Sequence, residues 1–282
     1  MPDLIKIAVS GALKDYYDIR NYRGKTDLDE RDMPKEFSLD VSKLPVKLQV
    51  GGTCVAHSLA NAVEYFNIME TGEYKKMSIG FIYGNRGDDI APCPDEGMYV
   101  RRALSRLQKV GAVPFTDYPK ERAAAVEVPA VAEVLDELAP KAAPYRIKEY
   151  YQVWANKDIK AALMSGHPVV FVVPWGVNNY IQQTFDGSER DFLILKKPFT
   201  SLHAMLIYGW NKDGWLIQNS HGSWWAGDGR TILPYGSYID EAWGVVDYNN
   251  KAEQAIRVVH PNIPDKVAKF ANKIFNLFYS KK

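Results

Sequence analysis

The stretch LQVGGTCVAHSLANAVEYF, residues 48–66, constrains the fold of this 282-residue chain more than any other. Gly51 and Gly52 favour a tight turn, because glycine adopts positive φ without a steric penalty. Thr53 then suits the N-cap of a helix, and apolar residues follow at helical spacing, namely Val55, Leu59, Ala62, Val63 and Phe66. The stretch therefore predicts a glycine turn that leads into a helix, with Cys54 in the first helical turn.

A cysteine in that position is a candidate nucleophile. The dipole and the free backbone N–H groups of a helix N-terminus favour an anion, and a thiolate is such an anion. The position therefore predicts that the pKa of Cys54 is lowered. The alternative is a small buried apolar side chain, which is the usual role of a lone cysteine.

Two residues far along the chain fit partners of such a nucleophile. His203 lies in SLHAMLIYGW, 149 residues after Cys54, at the start of an apolar run that suits a buried strand. Asn219 lies in GWLIQNSHGSWW, 165 residues after Cys54, where another short strand is expected to end. The structural alternatives are a hydrogen-bonded core histidine and an asparagine that closes a turn.

Taken together, these segments resemble the papain-like cysteine peptidases. The similar segments are the nucleophile segment GTCVAHSLANA, the following MSIGFIYGNR, the glycine-bearing substrate strand and helix PDEGMYVRRALSRLQKVGAV, the strand GHPVVFVV, and NSHGSWWAGDG. They occur in the family's order between about Phe37 and Tyr248, and His203 fits the family spacing of roughly 130–150 residues. The resemblance implies an α+β, two-lobed fold, in which a helical lobe precedes an antiparallel sheet lobe and the active site lies in the cleft.

The resemblance also implies a Cys-His-Asn site. Cys54 would attack a peptide carbonyl, His203 would accept and return the proton, and Asn219 would orient the imidazole. Gln49 would stabilise the oxyanion, although it stands five residues before the cysteine where the family has six. His221 replaces the tryptophan that covers the His–Asn hydrogen bond in the family. It either leaves that bond open to solvent or stacks there itself.

Substrate binding in the family combines backbone pairing with one deep apolar pocket. By position, Gly97 would pair with an extended peptide, while Met98, Val172 and Ala204 would line the pocket. Trp225 would lie beside the leaving-group side of the cleft. This implies a preference for an apolar or aromatic residue second before the scissile bond. The alternative is that Met98 and Val172 are simply core residues.

The other histidines have less specific settings. His57 lies three residues after Cys54, within side-chain reach on a helix, but its counterpart in the family is a packing residue. His167 precedes a proline at a strand start, and His260 lies in the C-terminal tail. We expect structural or solvated roles for His167 and His260.

Composition narrows the function classes. The chain is 46% hydrophobic with a net charge of +1, so nothing indicates a nucleic-acid partner. We find no phosphate-binding glycine loop, no metal-type spacing and no indication of a cofactor. Two cysteines make no disulfide framework, and Gly51 stands where secreted relatives have the partner of Cys93, which suits a reducing compartment. Apolar runs are too short to span a bilayer, and no signal peptide is evident, so we expect cytoplasmic synthesis.

The chain divides into three parts. Residues 1–32 form an N-terminal arm that enters where family prosegments do, although it is much shorter. Residues 33–250 form the catalytic domain, with a helical lobe over about 33–143 and a sheet lobe over 144–250. Residues 251–282 predict an amphipathic basic helix that docks on its own domain, in a larger assembly or on a membrane surface.

The arm itself has two features. Its acidic run, Asp27, Asp29, Glu30 and Asp32, predicts a solvated, mobile segment. Its aromatic and apolar residues, Tyr16, Tyr17, Ile19 and Tyr22, could anchor it near Met98, so the arm is a candidate gate of the cleft. The alternative is a disordered or merely packed terminus.

The function that fits these features is a cysteine endopeptidase acting on peptide or protein substrates through an acyl-enzyme. A papain-fold structural or binding protein with weak or no catalysis is the competing class, favoured by the Gln49 shift and by His221. A thiol amidase or transpeptidase acting on cell-wall peptides is a third class.

Overall fold

A computed structural model describes residues 11–15, 23–86, 97–121, 137–183 and 191–248. The helices are α1 (Cys54–Thr71), α2 (Ile79–Gly84), α3 (Val100–Lys109), α4, described over 137–142, and α5 (Asn156–Met164). Short 3-10 turns lie at Glu30–Asp32 and Ala143–Tyr145. The strands are β1 (Ala12–Leu13), β2 (Phe37–Ser38), β3 (Met98–Tyr99), β4 (Ile147–Gln152), β5 (Val169–Trp175), β6 (Tyr180–Gln182), β7 (Phe192–Ile194), β8 (Ser201–Trp210), β9 (Gly214–Gln218), β10 (Arg230–Pro234) and β11 (Glu241–Asp247).

Helix α1 forms the centre of the helical lobe. It begins at Cys54, as predicted, with Thr53 at the N-cap position, although the Thr53 hydroxyl donates to the Val50 carbonyl at 2.9 Å. Every residue from Cys54 to Ile68 is buried, so the helix is enclosed by protein over most of its length. It ends at Gly72, whose φ of 78° is the left-handed conformation that glycine adopts without strain.

The sheet lobe is mostly antiparallel. In the described part of the chain, the main path of strands is β4-β11-β5-β8-β9-β10-β7-β6, and only β10 and β7 pair in parallel on it. Strands β5 and β8 lie at its centre, and all residues from His203 to Trp210 are buried. A strand covered on both faces needs a continuous apolar run, which explains the sequence of β8. The predicted α+β class, with helices followed by a sheet, is confirmed.

Strand β1 lies between the two lobes. Ala12 pairs in parallel with Met98 of β3 in the helical lobe and antiparallel with Leu202 of β8 in the sheet lobe. The Met98 N–H donates to the carbonyl of Gly11 at 2.7 Å. A short N-terminal segment, Gly11–Asp15, therefore fills the strand position at which the lobes meet.

The rest of the described N-terminal region packs on the sheet lobe. The Gly24 N–H donates to the Gln152 carbonyl at 2.9 Å, and the Thr26 N–H donates to the Asp158 carboxylate at 2.8 Å. Leu28 is buried as well. The acidic side chains of this stretch are exposed, as expected, but its backbone is attached to the fold.

A buried ion pair joins the loop before the α1 turn to α1 itself. The Lys47 ammonium binds the carboxylate of Glu64, whose side chain has no exposed surface. The other Glu64 oxygen accepts the Met77 N–H at 2.8 Å, and the Lys47 carbonyl accepts the Gly222 N–H at 3.0 Å. These contacts tie the loop to the helical lobe on one side and to the sheet lobe on the other.

Glu64→Gln is expected to destabilise the protein by about 3–5 kcal/mol, because it leaves the Lys47 ammonium buried without its counter-charge. Denaturant unfolding would measure the loss. Glu73→Gln, at an exposed position just after the same helix, is the matched control and should change stability by less than about 0.5 kcal/mol. Equal stability of the two variants would contradict this role of the ion pair.

Several predicted features lie outside the described residues. They are the C-terminal helix over 251–282, Cys93, His260 and the arm residues Tyr16, Tyr17, Ile19 and Tyr22. Among the helices that the structure describes, none is long and apolar enough to cross a bilayer.

Candidate active site

Cys54 lies where the two lobes meet, at the N-terminus of α1 and against β8. Its side chain is fully buried, and its Sγ accepts backbone N–H groups from Gly11 at 3.2 Å and from Ala204 at 3.5 Å. The first donor belongs to the N-terminal segment, and the second is the residue after His203. The sulfur is thus held between the chain's own N-terminal segment and the strand that carries the candidate base.

The prediction that the thiol pKa is lowered is wrong for this arrangement. Burial raises the pKa of Cys54, and it outweighs the backbone N–H groups of Ala204, Gly11, Val55 and Ala12, which act to lower that pKa. The helix N-terminus is present as predicted. Burial of the sulfur is what reverses the sign.

His203 and Asn219 are brought together as the sequence predicted. The Nε2 atom of His203 lies 2.7 Å from Oδ1 of Asn219, and the Ser220 N–H donates to the same oxygen at 2.7 Å. Because a backbone N–H needs an acceptor there, the oxygen assignment of the amide is fixed, and Nε2 must carry the ring hydrogen. Within the described residues Nδ1 has no hydrogen-bond partner, so no hydrogen bond joins it to Cys54.

The imidazole of His203 is neutral in this arrangement. Burial lowers the pKa of His203 to about 3, with a further lowering from His221, and the Asn219 hydrogen bond only partly opposes this. Burial therefore favours an uncharged Cys54 thiol and an uncharged His203 ring. Proton transfer between them would create two charges, which burial disfavours.

His221 takes the second of its two expected roles and stacks over the His–Asn pair. Its ring lies 4.7 Å from that of His203 at an interplanar angle of 30°, and its Nδ1 lies 3.1 Å from Nδ2 of Asn219. The ring of Trp225 is nearly perpendicular to that of His221, with 6.0 Å between the two ring centroids. Trp175, at the end of β5, lies 4.5 Å from His203 and was not predicted from the sequence. The sequence signal that could have indicated Trp175 is its place as the last residue of the apolar run GHPVVFVVPW.

Gln49 lies beside the turn that precedes Cys54 despite its shifted position. Its Oε1 accepts the Ser220 hydroxyl at 2.6 Å, and its Nε2 donates to the Gly51 carbonyl at 3.0 Å. The Gln49 N–H also donates to the Ser220 carbonyl at 2.8 Å. Both ends of the amide are therefore fixed, with the NH₂ group directed to the turn at the nucleophile.

The residues expected to bind a substrate backbone border the N-terminal segment instead. The Gly97 N–H donates to the Tyr83 hydroxyl at 3.0 Å, while the N–H of the neighbouring Met98 donates to the Gly11 carbonyl. A Cβ on Gly97 would lie 2.8 Å from the Gly11 carbonyl oxygen, and the φ of Gly97 is +98°, so this approach requires glycine. Met98, Val172 and Ala204 have no exposed surface.

The remaining histidines of the described chain have structural contacts. The Nδ1 atom of His57 lies 2.9 Å from the Thr53 carbonyl, one turn back along α1. The Nδ1 atom of His167 lies 2.8 Å from the Tyr151 hydroxyl. Burial lowers the pKa of each ring to about 3. Within the described residues, no group of His, Cys, Asp and Glu side chains is arranged to hold a metal ion.

Comparison with solved structures finds cysteine proteases of similar fold. Xylellain, a cysteine protease from Xylella fastidiosa, matches with a TM-score of 0.67 at 24% identity over 86% of this chain and 97% of that chain. The Carica candamarcensis cysteine protease CMS1MS2, in complex with E-64, matches at 0.53 and 20% over 76% and 99%. Bromelain from Ananas comosus matches at 0.54 and 16% over 76% and 100%.

The sequence comparisons found less than the structural one. No family model matches the chain, and no curated protein matches it. At identities of 16–24%, the structural matches establish the architecture of the chain. The chain has the two-lobed α+β fold of the papain-like cysteine proteases.

Proposed function

We propose that the chain is a cysteine endopeptidase in which Cys54, His203 and Asn219 hydrolyse peptide bonds. The observation that supports this most is the 2.7 Å contact between His203 Nε2 and Asn219 Oδ1, beside a cysteine at a helix N-terminus. It holds the hydrogen on Nε2 and leaves Nδ1 as the basic nitrogen. That is the tautomer in which an imidazole can take a proton from a thiol.

In the proposed reaction, Nδ1 of His203 takes the proton of the Cys54 thiol, and the thiolate attacks the scissile carbonyl carbon. An S–C bond forms, and the carbonyl π electrons move to oxygen. The imidazolium then gives its proton to the leaving amine as the C–N bond breaks, which leaves a thioester. A water, deprotonated by the same ring, hydrolyses the thioester to a carboxylic acid and restores the thiol.

Gln49 is the proposed side-chain donor to the oxyanion. Its NH₂ group carries two hydrogens, and the Gly51 carbonyl takes one of them. The Ser220 hydroxyl holds the amide oxygen, so the amide cannot rotate freely. The loss of one such donor typically lowers the rate by about 10²–10³.

The N-terminal segment is the proposed gate of this site. The Gly11 N–H donates to the Cys54 sulfur. A Cβ at Gly11 would lie only 1.8 Å from the Gly52 carbonyl oxygen, so only glycine fits there. At its other end, Lys14 lies 3.4 Å from Asp240 of the sheet lobe. Next to it, Asp15 pairs with Arg101 of α3 at 3.0 Å. A peptide substrate must displace these contacts before its carbonyl can reach the sulfur.

A papain-fold binding protein with weak or no catalysis is the competing function. It is favoured by the buried, uncharged states of Cys54 and His203 and by the lack of a hydrogen bond between them within the described residues. Opening of the gate separates the two functions. It hydrates and activates the pair in a peptidase, and it produces no turnover in a binding protein.

His203→Ala is expected to abolish turnover of a fluorogenic peptide amide, because it removes the proposed base that takes the thiol proton. Asn219→Ala should cost less, since the base remains and only its orientation is lost. His57→Ala is the control and should retain most of the activity, because His57 contacts only the Thr53 carbonyl through Nδ1. An inactive His57 variant beside an active His203 variant would reverse the assignment.

Gly11→Ala is expected to accelerate both iodoacetamide labelling of Cys54 and turnover by several-fold. The added Cβ cannot fit against Gly52, so the segment must leave the cleft. Lys25→Ala, at an exposed position outside the cleft, should change neither rate. Labelling at the parent rate in Gly11→Ala would contradict the gate. A collapse of thermal stability would show instead that the segment is a structural strand.

A further inference from the structure

A buried carboxylate lies at one end of a row of side chains that starts beside the nucleophile. Glu241 opens β11 and pairs with Val172 of β5, and Val172 pairs with Ala204 of β8. Residues paired across neighbouring strands project from the same face of a sheet. Since the Ala204 N–H donates to Cys54 Sγ, the row Ala204–Val172–Glu241 runs from the reacting sulfur to this carboxylate.

The carboxylate of Glu241 is only half satisfied. The side chain belongs to a residue that is 7% exposed, and its Oε2 accepts the Trp243 indole N–H at 2.8 Å. Within the described part of the chain, Oε1 is buried and has no hydrogen-bond partner. An acceptor of this kind is costly to bury unmatched, and native structures normally match it with a donor.

The surroundings of Glu241 are acidic. Burial is the largest of the influences that raise the pKa of Glu241 to about 7, with Asp240 and Asp15 acting in the same direction. The Trp243 hydrogen bond and Arg101 act to lower that pKa. Arg101 is already paired with Asp15. The Lys14 ammonium of the N-terminal segment lies on Asp240 at 3.4 Å. The end of the row therefore already attracts one cation of the chain's own N-terminal segment.

We propose that Glu241 makes this subsite selective for a lysine or arginine side chain of the substrate. The inference rests on the proposed peptidase function, and it replaces the apolar or aromatic preference that the resemblance implies. A long basic side chain would lay its methylene stem along Ala204 and Val172 and donate to the free Oε1. Asp240, next to Glu241, adds a second negative charge once Lys14 has left.

Binding can be measured without turnover in the full-length Cys54→Ala chain. Fluorescent peptides that differ only in the second residue before the scissile bond, as arginine, lysine, norleucine or phenylalanine, would be titrated by anisotropy. Competition from the N-terminal segment is the same for every peptide, so it cancels in the ratio of Kd values. Arginine and lysine peptides are expected to bind at least about 10-fold more tightly than norleucine, the range of a hydrogen bond to a charged group.

Substitution of the carboxylate tests whether Glu241 is responsible. In the same Cys54→Ala background, Glu241→Gln should bring the arginine-to-norleucine ratio close to 1. Glu149→Gln is the matched control, because Glu149 is also a buried carboxylate whose pKa burial raises to about 7, but it lies on β4 opposite Val246, off the row. Asp240→Asn should lower the arginine-to-norleucine ratio by a smaller factor. This variant replaces Glu241→Gln as the test if Glu241→Gln does not fold.

The pH dependence gives a second readout in the active chain. Above the raised pKa of about 7, Glu241 is a carboxylate and attracts a cation; below it, Glu241 is neutral. The ratio of kcat/KM values for arginine and norleucine substrates should therefore fall several-fold from pH 8 to pH 5.5, because kcat/KM follows the free enzyme. The ratio should not change with pH in Glu241→Gln.

The outcomes separate the subsite from the catalytic proposal. Suppose that the Cys54→Ala chain prefers basic peptides, that Glu241→Gln removes this preference, and that the chain with native Cys54 shows no turnover. That result would support the subsite and overturn the peptidase proposal. Turnover with the same arginine-to-norleucine ratio in the parent and in Glu241→Gln would overturn the subsite and leave the peptidase standing. Equal loss of the ratio in Glu149→Gln, or no peptide binding at all, would also overturn the subsite.

Discussion

The contact between the N-terminus of α1 and β8 is the constraint on which the site depends. Cys54 is placed by a helix and His203 by a strand, and the Ala204 N–H that reaches Sγ fixes how the two meet. The pairing of His203 with Val173 on β5 then sets the ring against the sheet. Because the two candidate reacting groups lie on a helix of one lobe and a strand of the other, the sulfur–imidazole geometry depends on how the lobes are packed together.

Burial gives this junction a second property. Cys54 and His203 are both fully buried, and burial favours the neutral form of each group. On the proposed gating, displacement of the segment takes the Gly11 N–H away from Cys54 but admits solvent, and burial is the larger of the two influences on the pKa of the thiol. Access to the cleft and formation of the thiolate would then be coupled, since one displacement removes both the steric block and the burial that disfavours the thiolate.

The sequence predicted those parts of the structure that depend on local pattern. The start of α1 at Cys54 follows from the glycine turn and the helical spacing, and β8 follows from its long apolar run. The contact between His203 and Asn219 was predicted only through the family resemblance, because 16 residues of chain and a turn separate them. Local pattern carries no information on how two strands are placed in a sheet.

The features that the sequence did not predict all arise from tertiary packing. Strand β1 has two residues and no periodic signal, so its insertion between the lobes could not be read from its sequence. The burial that reverses the expected pKa shift of Cys54 is likewise a property of the packed fold. Trp175 and Glu241 acquire their settings from cross-strand register, which a one-residue slip would reverse.

The proposed substrate selectivity and the proposed gate involve the same charged side chains. Lys14 lies on Asp240, which is next in the chain to Glu241, so the N-terminal segment already places an ammonium at the acidic end of the row. On the proposals above, a basic side chain of a substrate takes the position of the Lys14 ammonium. The substrate backbone takes the place of Ala12 beside β3 and β8. Every substrate must displace the whole segment, but only a substrate with a basic residue replaces the positive charge that Lys14 gives up at the acidic end of the row. Recognition of the substrate thus becomes one of the forces that open the site.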